Sequence, residues 1–209
     1  MVGAIVYFLT LGLPVVVLLA AAVLAGRKAR RAGRLRRAVA AFGERPGWWE
    51  HDRREPRWTG HLTHYGWLTE ETRAVYTVSG MFGRRRATIA LLMRSRPRDV
   101  DIGLAVCVGL AAPARTVRLE RPWSSLPLGA QWPGGVVYVP RGEGAEGLVE
   151  LLVDTDIARR LAAAGSPAVS FRDHEVCFLW GEMPEPGRLE PFVDALVAAL
   201  PALEAAAAR

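Results

Sequence analysis

The chain has 209 residues, 51% of them hydrophobic and 23% charged, which excludes a disordered polar chain and an all-apolar transporter. Two Cys exclude a disulfide scaffold and a four-Cys zinc site. The formal net charge is +6, from 27 basic against 21 acidic side chains, but the excess is local.

Seven of the cations, Arg27, Lys28, Arg30, Arg31, Arg34, Arg36 and Arg37, fall within eleven residues. The remainder carries 20 basic against 21 acidic groups, so the high pI is no argument for nucleic acid. Upstream, Val2 to Gly26 contains no charged side chain. As a helix those residues would reach about 37 Å, against a hydrocarbon core of about 30 Å. The stretch reads as a transmembrane anchor over residues 1–26. Pro14 should bend it by leaving the carbonyl of Thr10 without a donor. Cations following the apolar run resist translocation, so the expected orientation is N-terminus outside and C-terminal domain cytoplasmic. A cleaved signal peptide would need a basic start and a shorter apolar core, and the sequence has neither. Ala21 with Ala25, and Ala22 with Gly26, would let two spanning helices approach as a homo-oligomer, although chance alone gives such spacing in an alanine-rich run.

Residues 27–57 read as a basic juxtamembrane helix and linker. Ala29, Ala32, Leu35, Val39 and Phe42 recur at helical steps, and Gly43 to Gly47 ends the run. Beside a bilayer these seven cations are candidate contacts for anionic lipid, at ~1 kcal/mol each for those that reach the surface. No aromatic residue interleaves with them, which weakens a nucleic-acid reading.

The soluble domain is expected over residues 58–209. Ala74–Gly80 and Arg86–Met93 read as a hairpin closed near Gly83. Val100 to Leu110 alternates most clearly, with Asp101, Gly103, Ala105, Cys107 and Gly109 on its second face, small enough for a helix to pack closely. Val117–Leu119 suggests a short edge strand, Pro122–Gly135 a loop, and Val136–Val139 another strand. Leu148–Ala164 reads as mainly helical. Ala168–Trp180 reads as a second hairpin turning at Asp173-His174. Leu189, Phe192, Val193, Leu196, Val197, Leu200 and Leu203 mark a final amphipathic helix, with Pro201 expected to bend or fray its end. This order gives α+β, with an antiparallel or mixed sheet covered by two helices.

Little chemistry follows. Gly142-Glu143-Gly144-Ala145-Glu146-Gly147 satisfies G-x-G-x-x-G in letters, but two Glu in the loop would repel a pyrophosphate that needs bare amides. Asp173 lies 26 residues beyond Gly147, and too few residues follow for a doubly wound sheet. His51, His61 and His64 fall at no recognised metal spacing. Cys107 and Cys177 lie in strands, where buried Cys acts as a small hydrophobe. No cofactor, metal or catalytic constellation is assigned.

Four stretches, SGMFGRRRATIAL (79–91), DIARRL (156–161), VSFRDHEVCFLW (169–180) and PGRLEPFVDALVAAL (186–200), resemble uncharacterised single-pass membrane proteins of high-GC Gram-positive bacteria, grouped as domains of unknown function. Twenty-six Arg against one Lys fits such a genome. The resemblance implies a membrane-tethered α+β domain and brings no catalytic residues. The expected function is therefore a membrane-anchored, non-catalytic protein-interaction module, with Trp48, Trp49, Trp58 and Trp67 as candidate surface anchors. Two alternatives stand beside it: an enzyme at the membrane face assembled from His61, His64, Asp101 and His174, and a lipid sensor built on the basic helix.

Overall fold

The computed structural model describes residues 13–50, 72–96, 99–120, 130–131, 137–142, 159–161, 167–180, 187 and 189–207. Helix α1 (Leu13–Gly43) is continuous from the described part of the apolar stretch into the basic one. It is rich in Ala, Leu and Arg, all strong helix formers. Its end is set locally: Glu44 N–H donates to Ala40 O, Arg45 N–H to Phe42 O, and Gly47 adopts φ +79°.

A seven-stranded antiparallel sheet follows: β1 (Trp49–Glu50), β2 (Thr72–Phe82), β3 (Arg85–Arg96), β4 (Asp99–Glu120), β5 (Ala130–Gln131), β6 (Val137–Arg141) and β7 (Ala168–Trp180). Helix α2 (Leu189–Ala207) closes the chain. The order is β1-β2-β3-β4-β6-β5, with β7 on the other edge of β4. The fold is thus α+β, as expected, with every described strand pair antiparallel. The β2–β3 hairpin closes on Gly83 at φ +60° while Arg84 stays at negative φ, the pattern of a turn with Gly at its first central position.

Three expectations need correction. Ala168–Trp180 is one strand, not a hairpin. Asp173 does leave the extended region, at φ +52°, but it does so inside a bulge against β4. Between the Gly109–Glu175 and Ala114–Asp173 pairs β4 carries three extra residues, and one more before Val117–Phe171. Asx residues tolerate the left-handed region, so the same composition serves a turn or a bulge. Leu110 and Val117 likewise belong to a single long β4, whose bulged segment includes Pro113, a residue with no ladder donor. Residues 130–131, expected in a loop, pair with β6. Of the helix expected over Leu148–Ala164, only 159–161 are described, and they are helical. Helix α2 keeps its expected stripe buried, apart from the half-buried Val197, and runs on past Pro201 to Ala207.

One sheet face, with Val78, Ile89, Leu91, Leu104, Val106, Val108, Val176 and Phe178, forms a core with Leu35, Val39 and Phe42 of α1 and the stripe of α2. The other face buries the smaller Ala90, Leu92, Ala105, Cys107, Cys177 and Leu179. Ion pairs hold both ends of α2. Glu190 in its first turn bonds Arg45, and Glu204 in its last turns takes Arg85 in a bidentate pair. Glu204 also accepts the Ala111 N–H at 2.7 Å, while Arg85 donates to Gly109 O at 3.3 Å. Two backbone groups at the β4 bulge, Ala111 N–H and Gly109 O, are thereby satisfied.

Candidate membrane-facing site

Helix α1 divides into two halves with opposite surroundings. In its C-terminal half Leu35, Val39 and Phe42 are 0–2% exposed, sealed against β2 and β3. Arg36 lies beside this seam with its guanidinium 5.5 Å from the Tyr76 ring centroid. Burial and the nearby Glu50 carboxylate raise the Tyr76 pKa. Phe42 packs on Trp48, ring centroids 5.5 Å apart, and Trp48 on Phe82 at 4.9 Å. Gly80 makes room for this stack: a Cβ there would lie 2.2 Å from the Trp48 ring. Arg45 covers the other side of Phe42 at 4.1 Å.

In the N-terminal half the apolar side chains stand bare. Val15, Val16, Val17, Leu18, Leu19, Val23 and Leu24 are 53–69% exposed. At about 100° per residue, the five consecutive positions Val15–Leu19 sweep more than a full turn. The apolar surface therefore surrounds the helix and forms no stripe.

The seven basic residues run from Arg27 to Arg37, overlapping the start of the docked seam, and all are exposed. Their azimuths are spread. Arg30 and Arg37 point roughly opposite the docked seam, Arg27 and Arg34 lie to one side of it, and Arg36 to the other. Lys28 and Arg31 fall in line with the seam but upstream of it. Arg37 Nε bonds Gly33 O at 3.4 Å. An amphipathic helix lying flat on a surface gathers its cations on one side. Here five of the seven fall within an arc of about 120°, and Lys28 and Arg36 extend the set beyond one side of the helix.

Among the described residues no helix is long and apolar enough to cross a membrane. The uncharged part of α1 within them, from Leu13 to Gly26, is 14 residues or about 21 Å. The rest of the apolar run, with Thr10 and the bend expected there, lies outside the described residues.

Of the groups considered for catalysis, Asp101 and His174 are among the described residues, and these two do not come together. Asp101 pairs in register with Arg94 near the start of β4, while His174 lies opposite the bulge at 109–114. Eight residues of strand, about 26 Å, separate Asp101 from Gly109. His51, His61 and His64 lie outside the described residues, as do Trp58, Trp67 and residues 143–147 of the glycine motif. Gly142 is described, and its role is backbone approach: at φ +103° a Cβ would meet Thr116 O at 2.4 Å. Among the described residues no group of three or more His, Cys, Asp or Glu could hold a metal. Trp48 is partly buried in the aromatic stack and Trp49 is exposed.

Sequence reasoning missed two pairings. Cys107 and Cys177 are direct register partners on β4 and β7, and both are buried. The hydrogen bond from Cys177, then burial, pushes the Cys107 thiol well up, away from thiolate chemistry. The Arg85–Glu204 clamp was equally hidden, since its members lie 119 residues apart.

No protein-family model matches the chain, and no curated protein does. One solved structure does match. The chain shares its fold with a mycobacterial transport factor. The crystal structure of the trehalose monomycolate transport factor A, TtfA, aligns with a TM-score of 0.53 over 82% of this chain and 93% of that one, at 10% sequence identity. The likeness is one of fold.

Proposed function

We propose that this chain is a single-pass membrane protein, N-terminus outside, whose α+β domain is held at the cytoplasmic face as a non-catalytic interaction module. The carrying observation is the bipartite α1. One helix, described from Leu13, is bare and apolar all round at one end, docked in a protein core at the other, and carries seven exposed cations from Arg27 to Arg37. A bilayer accounts for all three features. Residues 2–12 of the charge-free run would supply the remaining length to span it. Arg27, Lys28, Arg30, Arg31, Arg34, Arg36 and Arg37 would meet anionic headgroups and fix the orientation.

An accessory role, in which the domain binds a protein partner and performs no reaction, is supported by the separation of Asp101 from His174. The fold match to TtfA, named as a transport factor, supports the same class of task. Alkaline carbonate washing of membranes tests the anchor, and the full chain should stay in the pellet. Protease added to intact cells tests the orientation. The C-terminal domain should survive until the cells are opened, and its loss from unbroken cells would overturn the cytoplasmic placement.

A further inference from the structure

The path of α1 across the sheet shows which rim of the domain lies toward the bare helix. Phe42 stacks near Phe82, at the hairpin end of β2, with ring centroids 6.3 Å apart. One and a half turns earlier, Arg36 lies over Tyr76. The helix therefore runs in the same direction as β2, with its earlier residues toward the rim where β2 starts, β3 ends and β4 starts. From Arg36 back to Gly26 is about 15 Å of helix. From Tyr76 back to Thr72 is about 13 Å of strand. The rim thus lies on the side of the domain from which the basic stretch arrives.

On the face that carries α1, one row crosses this rim. Arg73 pairs in register with Met93, and Met93 with Ile102. Arg73 is exposed, and Met93 and Ile102 are half-buried. The next row inward, Tyr76, Leu91 and Leu104, is closed core. Among the described residues the acidic ones on the rim are Asp101 and Asp99, and each stands opposite an arginine in register, Arg94 and Arg96. Arg73 has methionine opposite it. A cation beside two partly exposed apolar side chains matches the headgroup layer of a bilayer, where phosphate meets the first methylenes.

We propose that the Arg73–Met93–Ile102 row rests on the anionic leaflet that α1 enters, as a second lipid contact beyond the basic stretch. This inference rests on the anchor reading above. It makes the domain a body seated on the membrane at one fixed edge, with the Gly83-Arg84 turn at the far end.

The test uses the full chain in vesicles of phosphatidylcholine with phosphatidylglycerol, with headgroup-quenching lipid added. A fluorophore is placed on Met93→Cys, on Arg73→Cys, or on Arg84→Cys at the opposite end. Both rim probes should be quenched several-fold more than the turn probe. Arg73→Glu should lower quenching at the Met93→Cys probe about two- to fivefold, with the thermal unfolding of the domain unchanged. Rim probes quenched no more than the turn probe would overturn the proposal, as would indifference to Arg73→Glu. A chain that carbonate releases, with no probe quenched, would instead remove the anchor reading and the rim contact with it. A chain that stays in the pellet while its rim probes are dark to quencher would refute the rim contact alone.

Discussion

The two halves of α1 have similar apolar side chains and meet opposite fates. Leu35, Val39 and Phe42 are sealed in a core, while Val15–Leu19 are bare on every side. Local helix propensity does not distinguish them, since Ala, Leu and Val fill both. The distinction lies in periodicity. Apolar residues in the second half recur at steps of three and four among arginines, so only one side can be buried. Those in the first half are consecutive, so a single protein face could not cover them. A stripe selects a sheet, and a full circumference selects a solvent.

The comparison breaks most visibly at Phe42. Phe42→Ala removes one ring of the Phe42–Trp48–Phe82 stack and should cost about 3–5 kcal/mol of domain stability. Denaturant unfolding of the detergent-solubilised chain measures this, and a loss below 1 kcal/mol would mean that the docked half is not core. Gly80→Ala attacks the same stack from the sheet side. Its Cβ would drive into the Trp48 ring, so about 1–3 kcal/mol should be lost, with a blue or red shift of Trp emission as the ring moves.

Glu204 sharpens the comparison by testing the docked region far from α1. The Arg85 hydrogen bonds hold its carboxyl below the ordinary glutamate range, helped by the Ala111 amide against an opposing burial cost. A lowered folded-state pKa means that this stabilisation is complete above the unfolded value, about 4.3, and is lost as pH falls through the folded one. Glu204→Gln should cost about 1–2 kcal/mol at neutral pH. The difference between variant and parent should shrink on acidification below about pH 4, and a constant difference down to pH 2 would contradict the clamp.

Much of this architecture was legible before any coordinates. The β2–β3 hairpin, the alternation of β4 through Leu110, and the stripe of α2 each follow from short-range periodicity. The basic residues of α1 were likewise found as a cluster, and the helix end at Gly43 was read from its Gly-Pro-Gly signal. What stayed hidden depends on partners distant in sequence. Asp173-His174 looks like a turn because a left-handed Asx fits turns and bulges alike. Only the register with Ala114 decides between them. The Glu204 clamp serves backbone groups exposed by that bulge, so it could not be inferred until the bulge was known. The docking of Leu35, Val39 and Phe42 was visible as an apolar stripe, but not that β2 and β3 would receive it. The orientation of the rim bearing Arg73 follows from the same docking.

The smallest expected effect is the sharpest test. Leu18→Ala and Leu35→Ala delete the same atoms from the same helix, seventeen residues apart. At Leu35 the deletion opens a cavity in closed packing and should cost about 2–5 kcal/mol. At Leu18, 69% exposed, nothing in the domain loses a neighbour, so domain stability should shift by less than about 0.5 kcal/mol. Lipid would notice only a few tenths of a kcal/mol, since alanine is still apolar. Unfolding of both variants in the same detergent gives the ratio directly. A Leu18 loss above 1 kcal/mol would mean that protein, not lipid, surrounds the first half, and a second copy of the helix would be the first partner to seek, by cross-linking through Ala21→Cys and Ala25→Cys.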